Sequence, residues 1–228
     1  MTARRFPGRA DGCFWGDGNS PSAPMAIREP ILKPVPISEL RPTQMTVGYR
    51  EVEEKRRRWR EHPADKKAEF LGAHMIPTLL GPKKRHYVID HHHLARALAL
   101  EGVETVLVTV VADLHKLDKD AFWTVCDHRA WVHPYGPDGV RAAFKDIPKA
   151  VADLADDPYR SLAGELRRAG GFAKDTTPFS EFLWADFLRR TVKEKRIASD
   201  FAAALEQAMA LAKSPEAGYL PGWCGPVT

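Results

Sequence analysis

His86-Tyr87-Val88-Ile89-Asp90-His91-His92-His93-Leu94-Ala95-Arg96-Ala97-Leu98-Ala99-Leu100-Glu101-Gly102 decides the fold. Tyr87, Val88 and Ile89 form an aromatic and β-branched run between polar flanks, which favours a short buried strand. Leu94, Leu98 and the alanines between them keep an apolar stripe at helical spacing, and Gly102 supplies a natural C-terminal stop. Asp90 at the junction is a good N-cap, with a carboxylate able to accept from the backbone N–H of His92 or His93. Three histidines therefore fall in the first turn of a helix that directly follows a strand.

That placement carries chemistry. A helix N-terminus offers free N–H groups and partial positive charge, which suit phosphate or another anion. The same field disfavours a protonated imidazole, so these rings are biased towards neutral, able to donate, to accept a proton or to bind a metal. Each helical step turns about 100°, so at most two of the three are expected to face one site. Working outward, Val103–Ala112 is apolar at both parities and predicts a strand buried on both faces. Ala73–Leu80 predicts another strand, joined to the first through the basic turn Gly81-Pro82-Lys83-Lys84-Arg85. The charged turn itself reads as a solvated loop tip. An α/β unit over residues 30–113 follows.

The strand, the Asp90-His91-His92-His93-Leu94-Ala95-Arg96-Ala97 turn and the strand beginning at Thr105 together resemble the ParB/sulfiredoxin-like superfamily. Its members place a motif such as Asp-Gly-His-His-Arg, Gly-Glu-Arg-Arg or Gly-Cys-His-Arg at this junction, where it holds nucleotide phosphates. By position, Asp90, His92 and His93 keep the Asp-Gly-His-His pattern; His91 stands at the glycine, Leu94 at the arginine, and Arg96 lies two positions later. The turn has no cysteine, which excludes sulfiredoxin-type sulfinic acid reduction. Ser38-Glu39-Leu40-Arg41-Pro42-Thr43-Gln44 is similar to the leucine-proline entry of many ParB-like domains. The resemblance implies Asp90, His92 and His93 as catalytic residues and His91 and Arg96 as nucleotide contacts. It also implies Mg²⁺ through Asp90, and ATP, ADP or CTP as ligand. Because some superfamily kinases take a base from the segment before the motif, Glu51 is a candidate catalytic carboxylate, with Glu54 as the alternative.

Tyr49–Glu61 itself reads as a helix: early acids and late bases complement its dipole, and Val52 and Trp59 give apolar contacts seven residues apart. Its charge run reads as a solvated face. After Leu114 the pattern turns helical. Lys119–Arg129 carries Phe122, Val125 and Cys126 at helical spacing before the Pro134–Pro137 break. Cys126, His128 and His133 match no closed four-ligand zinc spacing. Residues 156–190 read as two helices flanking Gly170-Gly171, the second capped by Ser180 and rich in core aromatics. Arg160, Ser161 and Lys174 sit in turns where they can close on a nucleotide from the helical side. With Trp131–Tyr135, this part resembles ParB-like proteins that add a helical C-terminal region, so the resemblance spans about residues 31–190. One alanine-rich helix is expected over Thr191–Lys213, with a loose tail over 214–228.

The fold class expected is therefore α+β: a small ParB/sulfiredoxin-like α/β domain over 30–113 and a helical region over 114–213. Residues 1–29, with Gly, Pro and Ser around Phe14-Trp15, read as a flexible arm able to dock through that aromatic pair. Forty-four per cent hydrophobic residues supply a core, and a net charge of +4 fits an anionic ligand without demanding nucleic acid. Three scattered cysteines argue against a disulfide framework. No apolar run reaches the roughly 18 residues of a membrane span, and no signal segment is evident, so a cytoplasmic protein without membrane contact is expected. Two functions are in view. The first is a nucleotide-binding phosphotransferase or nucleotide hydrolase; the second is a DNA-associated ParB-like protein or nuclease. The sequence has no convincing helix-turn-helix to favour the second.

Overall fold

The computed structural model describes residues 33–226; the arm expected over 1–29 lies outside them. Seven strands form in chain order: β1 (Lys33–Pro36), β2 (Arg41–Pro42), β3 (Thr46–Val47), β4 (Ile76–Gly81), β5 (Arg85–Val88), β6 (Thr105–Asp113) and β7 (Ala155–Asp156). Eight α-helices accompany them: α1 (Tyr49–Glu61), α2 (Lys67–Ala73), α3 (His92–Leu100), α4 (Lys119–His128), α5 (Pro158–Arg168), α6 (Ser180–Thr191), α7 (Glu194–Ser199) and α8 (Phe201–Ala212). The architecture is α+β with a helical C-terminal region. Among the described residues no helix is long and apolar enough to cross a membrane.

The main sheet runs β1-β6-β4-β5-β2, with β4 and β5 antiparallel as a hairpin and β4 and β6 parallel. The prolines of β1 and β2 sit on its two edges, where a missing N–H costs no ladder bond. The hairpin turn is basic, as expected, and Lys83 and Lys84 both adopt positive φ. A second pairing, β3 with β7, is parallel and ties the segment before α1 to the segment before α5.

Three apolar clusters hold these layers. Val52 and Trp59 of α1, Leu94 and Leu98 of α3, and Val106 and Val108 of β6 fill one face of the sheet. Leu79, Phe122, Trp123 and Cys126 pack α4 on the other. Leu162, Leu166, Trp184, Leu188 and Ala208 form the helical core. Each fully buried leucine contributes roughly 1.5–3 kcal/mol. Among these, Leu79, Leu98, Leu162, Leu166 and Leu188 are wholly shielded from solvent.

Several local expectations are corrected. Ala73 ends α2 rather than opening a strand; β4 begins at Ile76. β6 is not buried on both faces: Val106 and Val108 face the core, whereas Val110 and Val111 are exposed, because the helices cover only part of the strand. Ser180 is the first residue of α6, and Phe179, with φ of 60°, occupies the cap position. The alanine-rich stretch is two helices, broken at Asp200, whose carboxylate caps α8 by accepting from Ala203 N–H. The tail is docked as far as Gly222: Leu220 is buried, Trp184 donates to Pro221 C=O and Ala173 N–H donates to Gly222 C=O.

Candidate functional site

The α3 N-terminus opens into a cleft of about 400 Å³ between the sheet layer and the helical region. The junction differs from the capped turn expected. His91, not Asp90, occupies the N-cap position, with left-handed φ of 62°, and no side chain caps the helix. Asp90 Oδ1 instead accepts from His91 N–H at 2.6 Å. A left-handed conformation costs an L-residue roughly 1–2 kcal/mol and costs glycine little. The backbone here therefore keeps the conformation that a glycine at the His91 position would take.

All three histidines line the cleft, but only His91 is exposed. His92 and His93 are buried, and each ring faces a backbone amide: His92 Nε2 accepts from Thr43 N–H at 3.2 Å, and His93 Nε2 from Gly48 N–H at 3.0 Å. Burial pushes both rings down to about 3, so both are neutral at pH 7, and the bonding places the proton on Nδ1. The 3.7 Å approach of His93 Nε2 to Glu51 Oε2 is then a contact rather than an ion pair. The two rings clasp the segment from β2 to α1 onto α3. His92 and His93, expected as catalytic, thus have their Nε2 lone pairs occupied by Thr43 and Gly48 amides. Gly48 belongs to the same joint, since a Cβ there would lie 2.7 Å from the Ser161 backbone N.

Glu51, in the first turn of α1, reaches the cleft and pairs with Lys55 at 3.4 Å. Burial alone would raise its carboxyl, but the positive charges of Lys55, Arg168 and Arg160 work against it, and the carboxyl lies below the usual carboxylate range. It is an ionised base facing the cleft. Arg160, on α5, is 6% exposed. Its guanidinium lies 3.5 Å over the Phe182 ring, and Nη2 donates to Glu181 Oε2 at 3.4 Å. Its Nε and Nη1 are buried and meet no acceptor. Burial lowers its pKa, opposed by Glu181, Asp157 and Glu51. The His133 ring stacks on Phe182 at 3.7 Å, which by excluded volume must be the face that Arg160 leaves free. Burial, with Arg160 adding to it, pushes His133 down to about 3.

Lys174 lines the cleft as expected and makes no ion pair among the described residues. Two expected nucleotide contacts fall elsewhere. Arg96 is turned away to brace α3, donating to Ala152 C=O and, at 2.6 Å, to the Tyr49 hydroxyl. Ser161 Oγ accepts from Arg50 N–H at 3.3 Å beneath the start of α1. Lys55, Arg167 and Glu181 line the cleft without having been anticipated there. Arg167 and Glu181 approach to 3.0 Å. Their charge-rich helical positions look, in sequence, like any solvated face.

Among the described residues no three His, Cys, Asp or Glu side chains converge to hold a metal ion. Asp90 stands as a single carboxylate, so a Mg²⁺ cage built by the protein alone does not fit. The Cys126 thiol is buried and pushed up to about 12, which keeps it protonated and poorly nucleophilic at neutral pH.

Comparison with known proteins adds the following. No functionally curated protein matches the chain. The crystal structure of protein Atu1540 from Agrobacterium tumefaciens is similar, at 54% identity and a TM-score of 0.83, covering 88% of this chain and 100% of that one. Its name carries no activity. Residues 33–190 match the ParBc_2 model, which describes a ParB-like nuclease, so the cleft, from Glu51 through Asp90–His93 to Arg160 and Glu181, lies within the matched segment. The sheet, the strand–helix junction and the helical region that closes over it are thus those of a shared domain, and the chain belongs to the ParB-like nuclease (ParBc_2) family.

Proposed function

We propose that this chain is a nucleotide-binding enzyme acting on a phosphoester, by phosphotransfer or hydrolysis, in the cleft at the α3 N-terminus. One observation carries the reading: Arg160 lines the cleft almost fully buried, with two guanidinium nitrogens, Nε and Nη1, that meet no acceptor. A buried donor without a partner costs roughly 1–3 kcal/mol, and guanidinium recovers most when it meets a phosphate. The α3 amides and Lys174 face the same space, and phosphoryl transfer chiefly needs such positioning and charge neutralisation. Glu51 is the base: it accepts the proton of an attacking water or hydroxyl as that oxygen bonds phosphorus. The leaving oxygen departs with the electron pair of the broken P–O bond, its charge met by Arg160 and the helix terminus. A divalent cation would arrive on the phosphates of the ligand, with Asp90 as one protein carboxylate.

Hydrolysis of a nucleic-acid phosphodiester is the reading that the family description favours, and the same cleft would serve it. An extended basic interface for duplex DNA has less support. On α1, Arg56 is paired with Glu53 and Glu101, Arg57 with Glu54 and Glu61, Arg58 with Glu54 and Arg60 with Glu101. The test is a thermal-shift panel of AMP, CMP, ADP, ATP, CTP, GTP and duplex DNA, each with and without Mg²⁺, on wild type and Arg160→Gln. A nucleotide-dependent rise lost in the variant supports the reading. A rise with DNA alone would replace it with the nucleic-acid reading, and silence to every ligand at millimolar concentration would refute both.

A further inference from the structure

From the charges that surround Arg160 we infer that the cleft takes a ligand bearing a single phosphoryl group, a phosphomonoester or one phosphodiester unit, in preference to a di- or triphosphate. This rests on the phosphate site proposed above and narrows its substrate class. Four cationic side chains line the cleft, and so do four carboxylates. Most of the positive charge is already spoken for. Lys55 pairs with Glu51 at 3.4 Å, and Arg167 and Arg160 share Glu181 at 3.0 and 3.4 Å. What remains for a ligand is the free pair of Arg160 donors, Lys174 and the α3 N-terminus, whose His92, His93 and Leu94 amides donate within no helical turn. That set suits one phosphoryl group.

The carboxylates decide what may follow it. Glu51, Asp90 and Asp175 face the same space, and among the described residues Asp90 and Asp175 carry no cationic partner; Asp90 accepts from the His91 amide and Asp175 from Thr177. In a partly desolvated cleft, a second or third phosphate would meet these charges at short range with little screening. Triphosphate-binding loops solve this with lysine and an accompanying cation cage, and no cluster of three acidic or imidazole groups converges here among the described residues. A volume of about 400 Å³ also lies near the small end of the roughly 300–1,000 Å³ usual for ligand pockets.

Isothermal titration calorimetry of the full chain with inorganic phosphate, AMP, CMP, ATP and CTP, with and without Mg²⁺, tests this. The expected result is monophosphate affinity equal to or tighter than triphosphate affinity, lost at least tenfold in Arg160→Gln. The Glu51→Gln/Asp175→Asn double variant should then gain at least tenfold for ATP relative to AMP, a shift that loss of fold cannot produce. Triphosphates binding wild type tenfold or more tighter than monophosphates, with Arg160→Gln still abolishing binding, would overturn the single-phosphate inference and leave the phosphate site standing. If no phosphate compound binds at millimolar concentration, the site reading fails and this inference with it.

Discussion

Replacing Arg160 by methionine should cost the empty protein at most about 1 kcal/mol, which is unusual for a residue only 6% exposed. The wild-type side chain buries Nε and Nη1 without acceptors, at roughly 1–3 kcal/mol each. Methionine removes that penalty while keeping most of the apolar contact along the stem. Against the gain stand the guanidinium–Phe182 contact at 3.5 Å, worth about 2 kcal/mol when desolvated, and the 3.4 Å approach to Glu181. Glu181 is not abandoned by the change, because Arg167 stays at 3.0 Å. The balance is a variant between about 1 kcal/mol less and 3 kcal/mol more stable than wild type. At roughly 2–4 °C per kcal/mol, its melting point should sit from slightly below to well above wild type. Adding a phosphate ligand at about 100 times its dissociation constant should stabilise wild type by about 2.7 kcal/mol and leave the variant unmoved. The order of the two melting points then narrows or inverts on addition of ligand. Urea denaturation with and without ligand measures both quantities. A loss of more than about 2 kcal/mol in the empty variant would identify Arg160 as a structural brace and refute the reasoning.

Other perturbations follow from the same site. Glu51→Gln should keep the fold and ligand binding but lower turnover at least about 100-fold, read by single-turnover phosphate release; unchanged turnover would remove Glu51 as the base. His91→Gly should stabilise by up to about 1 kcal/mol, since the strain at φ of 62° exceeds the added chain entropy of glycine; a loss in urea denaturation would show that the imidazole makes a contact of its own. His92, His93 and His133 are each held at about 3, against roughly 6.5 when unfolded. Between these values the unfolded chain binds more protons. Stability should therefore be full above about pH 6.5 and fall towards pH 3, by up to about 1.4 kcal/mol per pH unit for each ring. Denaturation midpoints that stay flat from pH 7 to pH 4.5 would contradict the burial of these rings.

The sequence was most legible where periodicity and local chemistry agree. The Tyr49–Glu61 helix forms with the expected limits, and the strand-to-helix order around the histidines, the basic hairpin and α4 stand as their patterns imply, although the cap at the junction does not. It was least legible where a side chain's partner lies far along the chain. Nothing near His92 or His93 announces that Thr43 and Gly48 amides, 49 and 45 positions away, occupy their Nε2 atoms. Arg96 follows the motif closely enough to resemble a ligand contact, yet Tyr49 and Ala152 claim it. The charge balance of the cleft was hidden for a different reason. Lys55, Arg167 and Glu181 lie on helices whose exposed and cleft-facing charges have the same composition. A signal for the α7–α8 break was present in Asp200, a natural cap in the midst of alanines.

The parallel pairing of β3 with β7 has a consequence for how the protein comes into being. Tyr49 N–H donates to Asp156 Oδ1 across 107 positions, beside the strand pair that joins Thr46–Val47 to Ala155–Asp156. Such distant closures are slow, because loop entropy is lost before the contacts repay it. On a ribosome adding about 5–20 residues per second, the strand that carries Thr46 waits roughly 5–20 s for its partner to be made. During that interval the histidine turn exists without Arg160 or Glu181 opposite it. A nascent or truncated chain therefore carries half a cleft, and ligand capture becomes a property that only the finished molecule acquires.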